Sequence, residues 1–287
     1  DRLNEKNTGS CRQHSAQLLK GLYMNIQQWE IFCSFKQELK EQIEVWKKSA
    51  PELTELQKAA ALEQKTPAYP FETTVVYNRS LDDITPQDNI KLIVIGDNPG
   101  KDEQLAKNNR YLVGQAGKIS EGYFKKNPEL GVNFRKNVII LNKTPVHRAK
   151  TSQLKAIAKK GGPKIAELIK ESQIWMAKKT AKIKTDLIQA GTCKQEKETE
   201  LWLVGYSALK QKGIFEDYRT TLKETYFLEN AEVWNKVYVF QHFSMNRFSI
   251  DLSDYEKQNK NKGSTLEENI HKLGIIHREE IFKHTDL

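Results

Sequence analysis

The chain has little cysteine, and what it has is scattered. Cys11, Cys33 and Cys193 are odd in number and far apart, with no C-x-x-C pair, so neither a disulfide framework nor an iron–sulfur cluster is suggested. No apolar run approaches the roughly 20 residues of a membrane span. The amino terminus also lacks the apolar stretch of a signal peptide, so a cytoplasmic protein with no membrane partner is expected. There is no initiator methionine, the sequence opening at Asp1, which suggests a fragment with a mobile polar start over residues 1–15. A nucleotide- or nucleoside-processing α/β enzyme is disfavoured, because there is neither a G-x-x-x-x-G-K-[S/T] loop nor a G-x-G-x-x-G fingerprint. No internal repeat is visible.

What is present suits a globular chain. Its 287 residues are 38% hydrophobic and 29% charged, enough for one large domain or a domain with an appendage. The net charge of +9 is unevenly placed: Lys143 to Lys197 holds 13 lysines and one arginine against four acidic residues, while the rest is near neutral. A polyanionic partner and a solvated lysine-rich helix face both fit that run.

From about Ser15 to Lys48, Leu18, Leu22, Ile26, Trp29, Phe32, Leu39, Ile43 and Trp46 recur at helical steps, predicting one long amphipathic helix. Ser49 as cap, Pro51 in the first turn and Leu53, Leu56, Ala60 and Leu62 predict a second helix, closing a hairpin. The aromatic stripe reads as core rather than a base-stacking platform, and the hairpin either buttresses the sheet or docks a partner. Residues 64–89, with Pro67, Pro70 and Pro86, read as a connector with a short extended segment at Thr74 to Tyr77.

Beyond it, apolar runs alternate with helical patterns. Leu92–Ile95, Asn137–Leu141, Leu201–Val204 and Val237–Phe240 are branched and aromatic runs of the kind buried on both faces of a parallel sheet. Between and after them, helices are predicted from beyond Gly117 to about Lys126 and near 151–160, 163–190, 214–228 and 264–283. The fold class is therefore α/β: a three-layer α/β/α sandwich with a mainly parallel four-stranded sheet and right-handed crossovers, plus an N-terminal helical hairpin. Residues 1–70 form the helical extension packed on the core. Residues 71–287 form the α/β domain, with the lysine-rich segment at 143–197.

Ligands of such sheets bind beyond the carboxyl ends of the strands. Polar side chains stand at three of the four ends: Asp97 and Asn98, Asn142, and His242 with Ser244. Each has an ordinary structural alternative as a turn or a satisfied core residue, but their joint occurrence points to one site.

Four segments in order carry a resemblance. Gly96-Asp97-Asn98-Pro99-Gly100, Val113 to Lys118 (VGQAGK), Leu141 to Pro145 (LNKTP) and His242 to Phe248 (HFSMNRF) together resemble the uracil-DNA glycosylase superfamily over residues 90–252. The resemblance implies a monofunctional DNA glycosylase that flips and excises uracil or a related deaminated base, leaves an abasic site, and acts in base excision repair. It implies a monomer without metal or cofactor, with DNA, single- or double-stranded, as partner. By the same resemblance, Asn142 reads the edge of the base and His242 donates to the leaving base oxygen. Asn98 or Asp97 handles the water, with Asp97 standing where one branch has Glu. Gly96, Gly100, Tyr111 and Leu112 border the base, with Tyr111 or a residue of 101–110 stacking on it. Ser244, Met245, Asn246 and Arg247 lie at the wedge loop, Arg247 filling the stack or binding phosphate, and Lys143 and Arg148 contact DNA.

The chain departs from the family pattern at several places. Gly100 replaces the Tyr that in one branch blocks a 5-methyl group, Phe243 replaces the usual Pro, Leu112 aligns with the stacking aromatic, and the iron–sulfur cysteines are absent. A non-catalytic nucleic-acid-binding protein that keeps the glycosylase fold is the alternative, with the departures as marks of a decayed site.

Overall fold

The computed structural model describes residues 24–192, 198–229, 231–259 and 263–283. Cys11, Cys193, Lys194, Lys197 and the expected helix over residues 15–23 lie outside them. The strands are β1 (Leu92–Gly96), β2 (Val138–Asn142), β3 (Glu200–Val204) and β4 (Val237–Phe240). The helices are α1 (Ile26–Ser49), α2 (Leu53–Glu63), α3 (Gln115–Lys126), α4 (Gln153–Lys160), α5 (Gly162–Ala190), α6 (Glu216–Glu229), α7 (Arg247–Gln258) and α8 (Leu266–Phe282).

The four strands form one sheet in the order β2-β1-β3-β4, every pair parallel. Because side chains alternate across a strand, one set faces each side. Ile93, Ile95, Ile139, Leu141, Leu201, Leu203, Val237 and Val239 share a core with α1, α2, α4, α5 and α6. Leu92, Val94, Val138, Ile140, Trp202, Val204, Tyr238 and Phe240 share the other with α3, α7 and α8. This double burial is why the strand sequences are continuously apolar, and the layers make the α/β sandwich expected.

Helix α1 starts later than its apolar spacing suggests. Asn25 is the cap: its Oδ1 accepts from the Gln28 amide at 2.9 Å, and the Gln28 side chain accepts from the Asn25 amide at 3.2 Å. The same two side chains donate to Ala190 O and Leu187 O, both at 2.8 Å, satisfying carbonyls at the end of α5. Phe32, Leu39, Ile43 and Trp46 are buried along α1 as the periodicity predicts.

The hairpin differs from expectation. Helix α1 lies principally on α5, and α2 on α4, rather than on each other. Ser49 does not cap α2, its hydroxyl instead donating to Trp46 O at 3.0 Å, and Leu62 is 81% exposed. The expected extended segment pairs Val75 with Val146 in an antiparallel bridge, which braces the chain leaving β2.

The lysine-rich segment is partly consumed by this packing. Lys143 and Lys184 are fully buried. Lys160 pairs with Glu63 at 2.7 Å, Lys164 with Glu52 at 2.9 Å, and Lys179 with Glu38, joining α4 and α5 to the amino-terminal helices. No described helix is long and apolar enough to cross a membrane.

Candidate active site at the carboxyl edge of the sheet

Where β1 and β2 end, the chain segments that leave them stay laced together. Lys143 N donates to Gly96 O at 3.0 Å and Arg148 N to Pro99 O at 2.9 Å, which ties the turn 96–100 to the segment 143–148. His147 backs that turn from the core: its Nδ1 meets Pro99 O at 2.8 Å and its Nε2 meets the Tyr69 hydroxyl at 3.1 Å. Burial depresses the imidazole to about 3, so it is neutral, with Nδ1–H donating to Pro99 and Nε2 accepting from Tyr69.

A cavity of about 460 Å³ opens at this edge. Asp97, Asn98, Gly100, Leu112, Asn142, Arg148, His242 and Ser244 all line it. Strand ends that are distant in sequence thus bring their polar residues to one place. The volume is within the roughly 300–1,000 Å³ of small-molecule sites.

Asp97 is held by a buried cation. Lys143 Nζ lies 2.6 Å from Asp97 Oδ1, 2.6 Å from Val204 O and 3.3 Å from Gly96 O, and the lysine side chain is fully buried while that of Asp97 is 14% exposed. Burial lowers the proton affinity of Lys143, and the Asp97 carboxylate opposes that shift. The expectation that Lys143 contacts DNA is therefore corrected: the ammonium is enclosed by three protein acceptors and does not reach a phosphate. Two glycines make the arrangement possible. A Cβ on Gly205 (φ +99°) would sit 2.3 Å from Asp97 Oδ1, and one on Gly96 would sit 2.4 Å from Asn142 Oδ1.

Asn98 is oriented from three sides. Its Nδ2 donates to Arg148 O at 3.0 Å and Pro99 O at 3.1 Å, and its Oδ1 accepts from the Thr151 hydroxyl at 3.1 Å. The amide nitrogen is thereby committed to the backbone, and the oxygen keeps one lone pair for a water or substrate proton. Asn142 is 2% exposed, and its Nδ2 has no hydrogen-bond partner among the described residues.

His242 has a defined tautomer. The Ser244 amide donates to Nδ1 at 3.1 Å and the Ser244 hydroxyl lies 2.8 Å from the same nitrogen. Nδ1 is therefore the acceptor, and the neutral ring carries its proton on Nε2. Burial lowers its pKa, the Asp97 charge works against that, and Lys143 adds to it.

The remaining expected residues divide. Met245, Asn246 and Arg247 are exposed on the turn after β4, and Met245 (φ +54°) and Asn246 (φ +56°) are both left-handed. For Met245 that conformation costs about 1–2 kcal/mol. Phe243, which stands where the family pattern has Pro, is buried against Phe134 and Phe248 and anchors the turn. Leu112 borders the cavity. Tyr111, expected there as a stacking ring, is corrected: it is 1% exposed, does not border the cavity, and its hydroxyl donates to Val76 O at 2.5 Å. Arg148 is also corrected, from DNA contact to cavity wall. It is 2% exposed, its Nη1 donates to His147 O, and Nε and Nη2 have no partner among the described residues. Burial brings this guanidinium down to about 9.

Sequence reasoning missed Glu103, Thr151 and Gly205. Glu103 lines the cavity and accepts from the Gly100 and Leu112 amides, each at 3.0 Å. It lies in a polar stretch with no periodicity, so no pattern set it apart. Side chains that could converge on a metal lie at the opposite edge of the sheet, at Glu200, Glu267 and His271.

Compared with known proteins, the chain matches no family model, no curated protein and no solved structure.

Proposed function

We propose that the chain is a monofunctional DNA glycosylase that hydrolyses the N-glycosidic bond of uracil or a related deaminated base. The observation that carries this reading is the meeting of Asp97, Asn98, Asn142 and His242 in one cavity at the carboxyl edge. It agrees with the resemblance of the four segments to the uracil-DNA glycosylase superfamily.

Each residue has a chemically suitable role. A base must leave the stack to be reached, and the exposed Met245–Arg247 turn beside His242 is placed to fill the gap. Asn142 offers donor and acceptor to the adjacent 4-carbonyl and N3–H of uracil, where cytosine presents the reverse pattern. Its unpartnered Nδ2 is a buried donor that a base carbonyl would satisfy. As the bond breaks, negative charge develops on the base, and neutral His242 donates from Nε2 to its O2 atom. The sugar becomes oxocarbenium-like. The Asp97 carboxylate, held by Lys143, stabilises that charge, and Asn98 Oδ1 accepts from the water that attacks C1′. The base leaves as an anion, the abasic sugar takes the water's hydroxyl, and the water's remaining proton passes to solvent, from which the base anion is reprotonated.

The test is a labelled oligonucleotide with one uracil, single-stranded and opposite G, followed by hot alkali. Wild-type protein should give alkali-dependent cleavage, and Asn98→Ala, Asp97→Asn and His242→Ala should each slow it at least about 100-fold. Tight, salt-sensitive binding without turnover on any deaminated base would instead favour a non-catalytic binder that keeps the fold.

A further inference from the structure

A second cavity, about 650 Å³, lies at the amino edge of the sheet, away from the site above. Glu200, Trp202, Tyr238, Glu267 and His271 are in its lining. Nothing in the glycosylase reading uses them.

Three of these side chains converge. Glu200 opens β3, while Glu267 and His271 are four residues apart in α8, a spacing that sets both on one helix face. One ligand atom from each, a carboxylate oxygen from either Glu and a ring nitrogen from His271, lies within 4.8 Å of the others. Two of the groups are oriented by outside partners. Trp202 Nε1 donates to Glu200 Oε2 at 2.8 Å, leaving Oε1 for His271 Nε2 at 2.6 Å. The His271 ring is stacked on Tyr238, with centroids 4.7 Å apart and planes at 9°. Hydrogen bonds that fix a carboxylate and packing that fixes a ring are features that tune ligand groups around metals.

We propose that Glu200, Glu267 and His271 form a divalent-cation site of zinc type. An imidazole with two carboxylates suits zinc better than magnesium or calcium, which prefer all-oxygen sets. Three protein ligands leave the fourth tetrahedral position open to the cavity. The required movement is small. Ligand atoms at about 2.0–2.2 Å from zinc stand about 3.4 Å apart in a tetrahedron, so the 2.6 Å contact between Glu200 and His271 opens by less than 1 Å. Glu267 is exposed on the first turn of α8 and swings in. Where the metal enters, the proton shared by Glu200 and His271 leaves to solvent, and the Nε2 lone pair goes to the ion.

The site is independent of the proposed glycosylase and is tested without assaying it. Untagged protein is stripped with a chelator and titrated with zinc by calorimetry, and with cobalt by visible absorption, which reports tetrahedral coordination. Wild-type protein should bind one equivalent, and Glu267→Gln and His271→Ala should each weaken binding at least about 10-fold, the lower bound for losing even an outer partner. Because Glu267 is exposed, Glu267→Gln keeps the fold, which circular dichroism verifies. The absence of a stoichiometric zinc site, or equal affinity in wild type and both variants, would overturn the proposal and leave the Glu200–His271 contact as a clip between β3 and α8.

Discussion

Enclosing Glu103 between two backbone amides puts a titrating carboxyl in the wall of the candidate site. Burial pushes its pKa up to about 7, although the Gly100 and Leu112 amides favour the ionised form. The native chain thus keeps a proton to about pH 7 that an unfolded chain gives up near 4.3. The associated stability is complete below the unfolded value and is lost as pH rises through the folded one, by at most about 4 kcal/mol at 1.36 kcal/mol per unit. Urea unfolding at several pH values between 4.5 and 8 should show this decline in wild type. Glu103→Gln keeps one acceptor and cannot titrate, so it should be less stable at pH 5 and lose much of the slope. Parallel pH curves for the two proteins would remove Glu103 as the titrating group. His242 makes a complementary case: its ring is neutral because burial outweighs Asp97, and its tautomer follows from a backbone amide rather than a side chain. Ser244 therefore fixes the tautomer through its main chain, which substitution leaves in place, while its hydroxyl adds a second contact to Nδ1 at 2.8 Å.

At the scale of elements, one ammonium ties the ends of three strands. Lys143 follows β2, Asp97 follows β1, and Val204 ends β3, and all three meet at Nζ. Removing one partner from such a buried pair leaves an uncompensated charge and costs about 3–5 kcal/mol. Lys143→Met should approach the lower figure, since Asp97 retains some access to solvent. Adding Asp97→Asn should return part of the loss, and denaturant midpoints in a double-mutant cycle measure the coupling. A single-variant loss under about 1 kcal/mol would mean that the tie is not structural. The same residues show what was legible in the sequence. The strands were, because burial on both faces writes an uninterrupted apolar run, and Asp97, Asn98, Asn142 and His242 were, because they stand where such runs stop. Lys143 and Arg148 were misread, since charge in a sequence suggests solvent and only the packing of three segments encloses it. Glu103 and Thr151 were invisible, lying in stretches whose order comes from partners distant in sequence. The start of α1 was overrun because a cap is a local hydrogen-bond geometry that apolar spacing does not register.

For the whole molecule, the placement of charge separates two uses of lysine that the composition merges. Lys160, Lys164 and Lys179 face acidic groups of α1 and α2, and such exposed pairs contribute roughly 0–1 kcal/mol each. At the carboxyl edge the pattern is different. Lys101 and Lys150 border the cavity, Arg247 is exposed on the turn beyond His242, and none of the three has an acidic partner within 4.0 Å among the described residues. If the cavity receives a flipped base, these cations meet the flanking phosphates, while Lys164 and Lys179 of α5 lie against the amino-terminal helices. Each phosphate contact adds about 0.7 to the slope of log affinity against log salt for single strands and about 0.9 for duplexes. Replacing both Lys101 and Lys150 by Ala should therefore lower that slope by about 1.4–1.8, measured by fluorescence anisotropy on a uracil oligonucleotide across a salt series. Replacing Lys164 and Lys179 should leave it nearly unchanged, although the same number of charges is removed. An equal fall in both double variants would mean that the affinity follows net charge alone, and DNA would then have no preferred face at the carboxyl edge.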